Sequence, residues 1–308
     1  MDSISIFSPA TVANVSCGFD ALGFAINAVG DEMTFKKTVK KEIKITKIEG
    51  AVLPKDIKKN AASVVALAML NKTKADFGLE IELIKKVKPG SGLGSSASSS
   101  AGAAFAVNQL LGKPFSKLEL TEFARIGEEI ACGSPIADNV ASAIYGGFIL
   151  VKSYEPLEIV KLPVPEELYV TVIHPQIEIK TEHARSVLKP VISIADAVKQ
   201  SANLGGLISG LYTNDYQLIS RSLVDVIAEP YRKILIPHFD KIKHAGIESG
   251  ALGVGISGSG PALFSLCKGE AIANDVAKAF DSVYSKTNID FKIYISKINT
   301  EGIKIVEN

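Results

Sequence analysis

Apolar and charged residues alternate through Leu79-Glu-Ile-Glu-Leu-Ile-Lys85, the two-residue period of a half-buried strand, and over 97–111 apolar residues recur at helical spacing. The stretch between them, Lys88-Pro-Gly-Ser-Gly-Leu-Gly-Ser-Ser96, follows neither period. The pattern therefore predicts strand, glycine loop, helix. Upstream it predicts strands over 4–13, 21–27, 31–38 and 42–48, and a helix over 59–71 with Asn60 near its start. Downstream it predicts a helix over 116–131, opened by a Ser-x-x-Glu capping box at Ser116 and Glu119, a helix over 136–143 and a strand over 148–152.

Pro156, Pro163 and Pro165 interrupt this pattern and mark the expected domain boundary, dividing the chain into residues 1–160 and 161–308. The second half reads as a strand over 168–174 and helices over 181–188, 194–212, 216–227 and 237–249. A strand, glycine turn and strand follow across 251–266, then a helix over 272–284 and strands over 290–297 and 302–306. Strands and helices mix without strict βαβ alternation, which predicts an α+β fold, not a doubly wound sheet.

A chain of 308 residues can hold two domains, and 47% hydrophobic with 22% charged residues is ordinary for a soluble globular protein. A net charge of +1 makes no electrostatic case for nucleic acid or an acidic membrane surface, so neither partner is expected. Lys36, Lys37, Lys40 and Lys41 cluster, but the alternation across 42–48 makes them the solvated face of a hairpin. Cys17, Cys132 and Cys267 are odd in number and far apart, with no Cys-x-x-Cys and no His at ligand spacing. Neither a disulfide framework nor a zinc site is indicated. With no basic leader before an apolar stretch, a cytoplasmic protein is expected.

Gly90, Gly92 and Gly94 permit positive φ and close approach of backbone to a ligand, while Ser95 and Ser96 stand where the first helical turn leaves its N–H groups unpaired. Such a place suits an anion, phosphate above all. A flexible Gly/Ser linker would not run straight into an apolar helix that needs a packing partner. No Gly-Lys-Ser/Thr closes the loop and the glycines fall at every second residue, which excludes a Walker A sequence and a dinucleotide fingerprint. A second segment contains Asn14, Gly18, Asp20 and Gly23. It reads equally as a polar loop between strands or as a turn presenting oriented polar groups to a ligand.

Three stretches, Pro9-Ala-Thr-Val-Ala-Asn-Val-Ser-Cys-Gly-Phe-Asp20, Pro89-Gly-Ser-Gly-Leu-Gly-Ser-Ser-Ala97 and Gly255-Ile-Ser-Gly-Ser-Gly-Pro-Ala262, together resemble the three motifs of the GHMP small-molecule kinases, in order and separation. Within that superfamily the resemblance is greatest to the homoserine kinase family. It is carried by Ala137-Asp-Asn-Val-Ala141 with Gly146-Gly147, by Lys180-Thr-Glu-His-Ala-Arg185, and by Glu229-Pro-Tyr-Arg232 with Leu235-Ile-Pro237. The resemblance implies a two-domain α+β fold with the active site between the domains, and usually a homodimer. It also implies phosphorylation of the L-homoserine hydroxyl by ATP, with Mg²⁺, to O-phospho-L-homoserine on the way to threonine.

Residue by residue, the same resemblance puts the ATP phosphates on Pro89, Gly90, Ser91, Gly92, Leu93, Gly94, Ser95, Ser96, Ala97, Ser98 and Ser99, with Ser96 and Glu128 as magnesium ligands. Gly258, Ser259 and Gly260 would support that loop from the second half. Asn14, Asp20, Asn139, Arg185 and Arg232 would bind the amino acid, with Asn139, Asp20 and Thr181 as the catalytic set. Read without the resemblance, Glu128 is a solvated helix residue beside Glu129, and the two arginines are members of surface ion pairs.

Chemistry independently favours the functional assignments. Phosphoryl transfer needs in-line positioning and neutralisation of the β and γ phosphates, and an amino-acid substrate brings a carboxylate for arginine and an ammonium that Asp20 can serve. One departure concerns Ile136, where the family pattern commonly has a histidine two residues before the Asp-Asn pair; isoleucine cannot hydrogen-bond a substrate. The alternatives are a kinase of another small alcohol, mevalonate-like, or an inert binding protein of the same fold. Intact Ser95, Ser96 and Glu128 speak against the inert one.

Overall fold

In the computed structural model, which describes residues 1–306, the first strand β1 (Ser3–Ala13) pairs antiparallel with β2 (Leu22–Thr38). The two strands expected over 21–38 are one. Pairing runs to Pro9 with Gly30 and resumes at Thr11 with Ala25, so the intervening residues bulge out instead of turning the chain. The bulge is used: the backbone N–H of Asn27 donates to Ser296 Oγ, and Ala25 O accepts from the N–H of Asn299.

Strand β3 (Ile43–Glu49), helix α1 (Ala61–Thr73) and strand β4 (Gly78–Ile84) form a parallel crossover, with β4 lying between β3 and β2. The expected hairpin at 36–48 is thereby corrected. The helix carries the chain across, so β3 and β2 never pair. Asn60 caps α1, its side chain accepting from the N–H of Ala62 at 3.0 Å.

Helix α2 (Ser95–Leu110) begins at Ser95, ahead of the apolar periodicity, because its first turn is built of serines. Ala97, Ala101, Ala103, Ala104 and Ala106 are fully buried, and these small side chains let α1, α3 (Lys117–Cys132), α4 (Asp138–Tyr145) and β1 all pack on α2. Strands β5 (Phe148–Tyr154) and β6 (Leu157–Leu162) make a hairpin turning at Pro156 and join the first sheet through β2. Residue 160 lies in β6.

The second sheet has the order β10-β7-β9-β8, from β7 (Leu168–Pro175), β8 (Gly253–Ile256), β9 (Leu263–Lys268) and β10 (Phe291–Lys297). Around it lie α5 (Thr181–Ser186), α6 (Ile194–Thr213), α7 (Tyr216–Ser222), α8 (Glu229–Arg232), α9 (Phe239–Glu248) and α10 (Glu270–Tyr284). The helix expected over 216–227 stops at Ser222. Asp225 then accepts from the N–H groups of Ile227, Ala228 and Glu229, so the chain turns into α8. The last strand, β11 (Lys304–Ile305), returns to pair with β1 at the edge of the first sheet.

The two sheets share a core. Phe24 of the first lies 4.8 Å from Phe148 and 6.0 Å from Phe264 of the second, ring centroid to centroid, among Val12, Val170, Val172 and Leu266.

Candidate active site

Four successive carbonyls of the glycine loop are each taken from behind. Gly90 O accepts from the N–H of Ile179 (3.2 Å), Ser91 O from that of Ala262 (3.1 Å), Gly92 O from Ser257 Oγ (2.6 Å) and Leu93 O from the N–H of Thr11 (3.2 Å). Across a trans peptide the following N–H points the opposite way, so each pinned carbonyl also fixes the next peptide N–H, of which that of Leu93 is taken within the loop by Ser91 Oγ at 3.2 Å. The loop borders a cleft of about 920 Å³ between the halves. Gly92 has a φ of 77°, and a Cβ there would lie 2.5 Å from Ser257 O and 2.8 Å from Gly260 O, so only glycine lets the two loops meet.

Pro89, Gly90, Ser91, Gly92, Gly94, Ser95, Ser96 and Ser99 line the cleft, as do Gly258 and Ser259. The side chains of Leu93 and Ala97 are in the core, and Ser98 Oγ donates to Ser8 O at 3.1 Å. Those three offer the cleft no side chain. Gly260 packs behind Gly92.

Glu128 reaches the cleft from α3, with Ser96 Oγ donating to its Oε2 at 3.1 Å and Ser100 Oγ to its Oε1 at 3.5 Å. Glu129 is exposed. Gly127 decides this register: a Cβ there would meet Ser100 Oγ at 2.2 Å, so its absence lets α3 lie close on α2 with Glu128 inward. Burial pushes the Glu128 carboxyl up to about 7. A buried carboxylate and a hydroxyl are the hard oxygen donors Mg²⁺ takes, alongside phosphate oxygens and water. Among the described residues there is no group of three or more His, Cys, Asp or Glu that could hold a metal ion.

Across the cleft, Arg185 Nη2 donates to Asp20 Oδ1 at 2.9 Å and Oδ2 at 3.1 Å, while its Nε is buried without a partner. Arg232 is 4% exposed, donating from Nε to Ala184 O (2.9 Å) and from Nη1 to Gly258 O (3.0 Å). Both guanidiniums lie against the ring of Phe19, at 6.0 and 5.0 Å. Asp138 and Asp225 also act on Arg232, so what this corner offers an anion is the unpartnered Arg185 Nε and not an excess of positive charge.

The segment around Asn14 is a turn that lines the cleft with Asn14 and Asp20. Asn14, Val15 and Ser16 have φ of 70°, 42° and 56°, a left-handed run that the Asn14 side chain secures by accepting from the N–H of Asp20 (3.0 Å) and donating to Gly258 O (2.7 Å). Thr11 Oγ1 donates to Asn139 Oδ1 at 2.6 Å, and the Asn139 N–H and Nδ2 donate to Asp138 Oδ1 at 2.7 and 3.2 Å. Asn139, Thr181 and Ile136 all line the cleft.

Several further residues at the site were given no site role from the sequence, Asp138 being quoted only within its motif. Asp138 is buried, and burial with the charge of Asp20 pushes its carboxyl up to about 7. Lys85, with its partner Asp31, sits beneath the loop; it ended an alternating strand and carried no signal of burial. Phe19 lies within the first motif, yet nothing local shows that two arginines fold onto it. Leu53, Pro54, Lys59 and Asn60 line the cleft beside the start of α1.

The family model described as GHMP kinases N terminal domain matches residues 58–147, and that for GHMP kinases C terminal matches 207–286. A homoserine kinase of Chlorobium phaeobacteroides is 44% identical over 99% of this chain and 100% of its own. One from Chloroherpeton thalassium is 45% identical with the same coverage. The crystal structure of homoserine kinase from Cytophaga hutchinsonii superposes with a TM-score of 0.97 at 49% identity, covering 99% of this chain and 98% of that one. A mevalonate kinase of L. major in complex with R-mevalonate, at 17% identity and TM-score 0.72, shares the fold over 95% of each chain.

Proposed function

This chain belongs to the GHMP kinases and, within them, to the homoserine kinases, and from that membership we propose how its cleft phosphorylates the side-chain hydroxyl of L-homoserine with ATP. The observation that carries the reading is the pairing, across one cleft, of a glycine loop whose carbonyls from Gly90 to Leu93 are each bonded to another segment with a corner where Arg185 keeps a buried, unpartnered donor. The loop and the N-terminus of α2 receive the phosphates. Mg²⁺ held by Ser96 and Glu128 would supply charge neutralisation on the β and γ phosphates.

The amino acid takes over the Asp20–Arg185 pair. Its ammonium goes to Asp20 and its carboxylate to Arg185 and Arg232, with Asn14 and Thr181 closing the pocket. Asn139, held between Thr11 and Asp138 and adjoining Gly94, orients the hydroxyl toward the loop. An amide accepts no proton at neutral pH, so the rate rests on positioning and on stabilising the transferring phosphoryl group, with the hydroxyl proton lost to phosphate. Ile136 contributes shape where a polar group is otherwise common.

Assembly as a homodimer in the cytoplasm is part of the proposal, and sedimentation of the purified protein tests the dimer. A coupled assay of ATP consumption across L-homoserine, mevalonate and 3-aminopropanol tests the substrate. Homoserine should be strongly preferred, and turnover of mevalonate at a comparable kcat/KM would overturn the assignment.

A further inference from the structure

Lys85 lines the cleft beside the phosphate loop, where a lysine would ordinarily be taken for a phosphate contact. All three of its ammonium protons have partners: the Asp31 carboxylate, Ser95 O at 2.8 Å and Ser99 Oγ at 2.9 Å. The side chains of Lys85 and Asp31 are 1% and 0% exposed. The second oxygen of Asp31 accepts from the N–H groups of Lys86 (2.8 Å) and Val87 (3.0 Å), and Ser95 Oγ donates to Val87 O at 2.6 Å. Residues entering the loop and residues leaving it are therefore tied to one buried ion pair.

An apolar pair of similar volume is commonly as stable as a buried ion pair, so stability alone does not account for these charges. What they do supply is direction, since each bond fixes one end of the loop. A loop closed at its base before nucleotide arrives loses less entropy on binding. We propose that Asp31 and Lys85 are positioning residues that clamp the phosphate loop, and that Lys85 is not a phosphate ligand; the proposal rests on the loop's being the phosphate site.

The test measures Kd for a non-hydrolysable ATP analogue, KM for ATP and for homoserine, kcat and thermal stability. The variants are Lys85→Met, Asp31→Asn, Ser99→Ala and the double variant Lys85→Met/Asp31→Leu. Both single charge variants should raise Kd and KM for ATP by about 10- to 100-fold, as displacement of a binding loop does, while KM for homoserine stays at the parental value. Ser99→Ala should give a smaller rise. The double variant should bind no worse than the weaker single, because both changes disable one device. If Lys85 instead contacts phosphate, Asp31→Asn frees its charge and nucleotide binds as well as or better than in the parent, which overturns the clamp. A parent protein that binds no analogue would sink the phosphate assignment itself, whereas parental binding matched by Lys85→Met sinks only the clamp. Should the charge variants fail to fold, Ser99→Ala decides, and an unchanged Kd rejects the proposal.

Discussion

Arg185 and Asp20 hold each other across the cleft, one guanidinium nitrogen lying 2.9 and 3.1 Å from the two carboxylate oxygens, so each keeps in place the charge that a zwitterion would take over. Replacing Arg185 with Ala leaves a substrate carboxylate poorly paired, at about 2 to 5 kcal/mol. At roughly 1.4 kcal/mol per tenfold, kcat/KM for L-homoserine should fall by about 30- to 4,000-fold. 3-Aminopropanol lacks the carboxylate; it should be a poor substrate for the parent and lose little more in the variant. Equal losses on both substrates would show that Arg185 does not read the carboxylate. Arg185→Lys should restore only part of the rate, because a point charge cannot make a two-pronged contact. Arg232→Ala should show the same selectivity with a lower Tm, since its guanidinium also ties Ala184 to Gly258.

Ser257 is a gentler probe of the phosphate loop than its glycines. Gly92→Val would drive a Cβ into backbone oxygens, and loss of ATP binding should come with lowered stability. Ser257→Ala removes only the bond to Gly92 O, leaving that carbonyl free to reorient. ATP affinity should drop by about 1 to 3 kcal/mol, or roughly 5- to 150-fold, with kcat less affected. Titration calorimetry with an ATP analogue gives the answer, and parental affinity would mean the carbonyl's orientation is unimportant.

Glu128→Gln keeps the shape and removes the charge. Because burial already pushes this carboxyl up to about 7, the empty variant should be at least as stable as the parent near neutral pH. Activity should behave oppositely. The Mg²⁺ concentration for half-maximal rate should rise by at least about 10- to 100-fold, the loss seen for even an outer partner of a metal, and chelation should abolish the parental activity. An unchanged Mg²⁺ requirement in the variant would remove Glu128 from the metal site.

Asp138 predicts a pH dependence of stability. Its folded value, about 7, lies above the roughly 3.9 of an unfolded aspartate, so between those limits the folded chain binds more protons. Stability of the empty protein due to this group is greatest in acid and is lost as pH rises toward 7. Asp138→Asn should flatten that part of the Tm profile and narrow the gap between pH 5 and pH 8. Activity in the variant should drop through looser orientation of Asn139, with the pH–rate profile keeping its shape. An acidic limb, with the rate rising as pH passes about 7, that vanishes with Asp138→Asn would instead assign that carboxylate the role of base.

The sequence by itself determined what depends on neighbours along the chain. The capping box at Ser116 and Glu119 forms because its partners are three residues apart, with the Ser116 N–H and Oγ each 2.8 Å from Glu119 Oε2. The glycine loop between strand and helix was legible for the same reason: positive φ at Gly90, Gly92 and Gly94 is a local demand. The α+β class and the family motifs were legible too.

Tertiary structure decided everything that depends on where the chain returns. Glu128 and Glu129 are alike in sequence, and only the contact of α3 with α2 at Gly127 turns one inward and leaves the other in water. The bulge in β2 is fixed by donors and acceptors 269 or more residues away, and β3 joins β4 because a helix, not a turn, connects them. Asp31 meets Lys85 across 54 residues and Asp20 meets Arg185 across 165. A charge's worth is set by its burial and its partner, and both are properties of the folded chain.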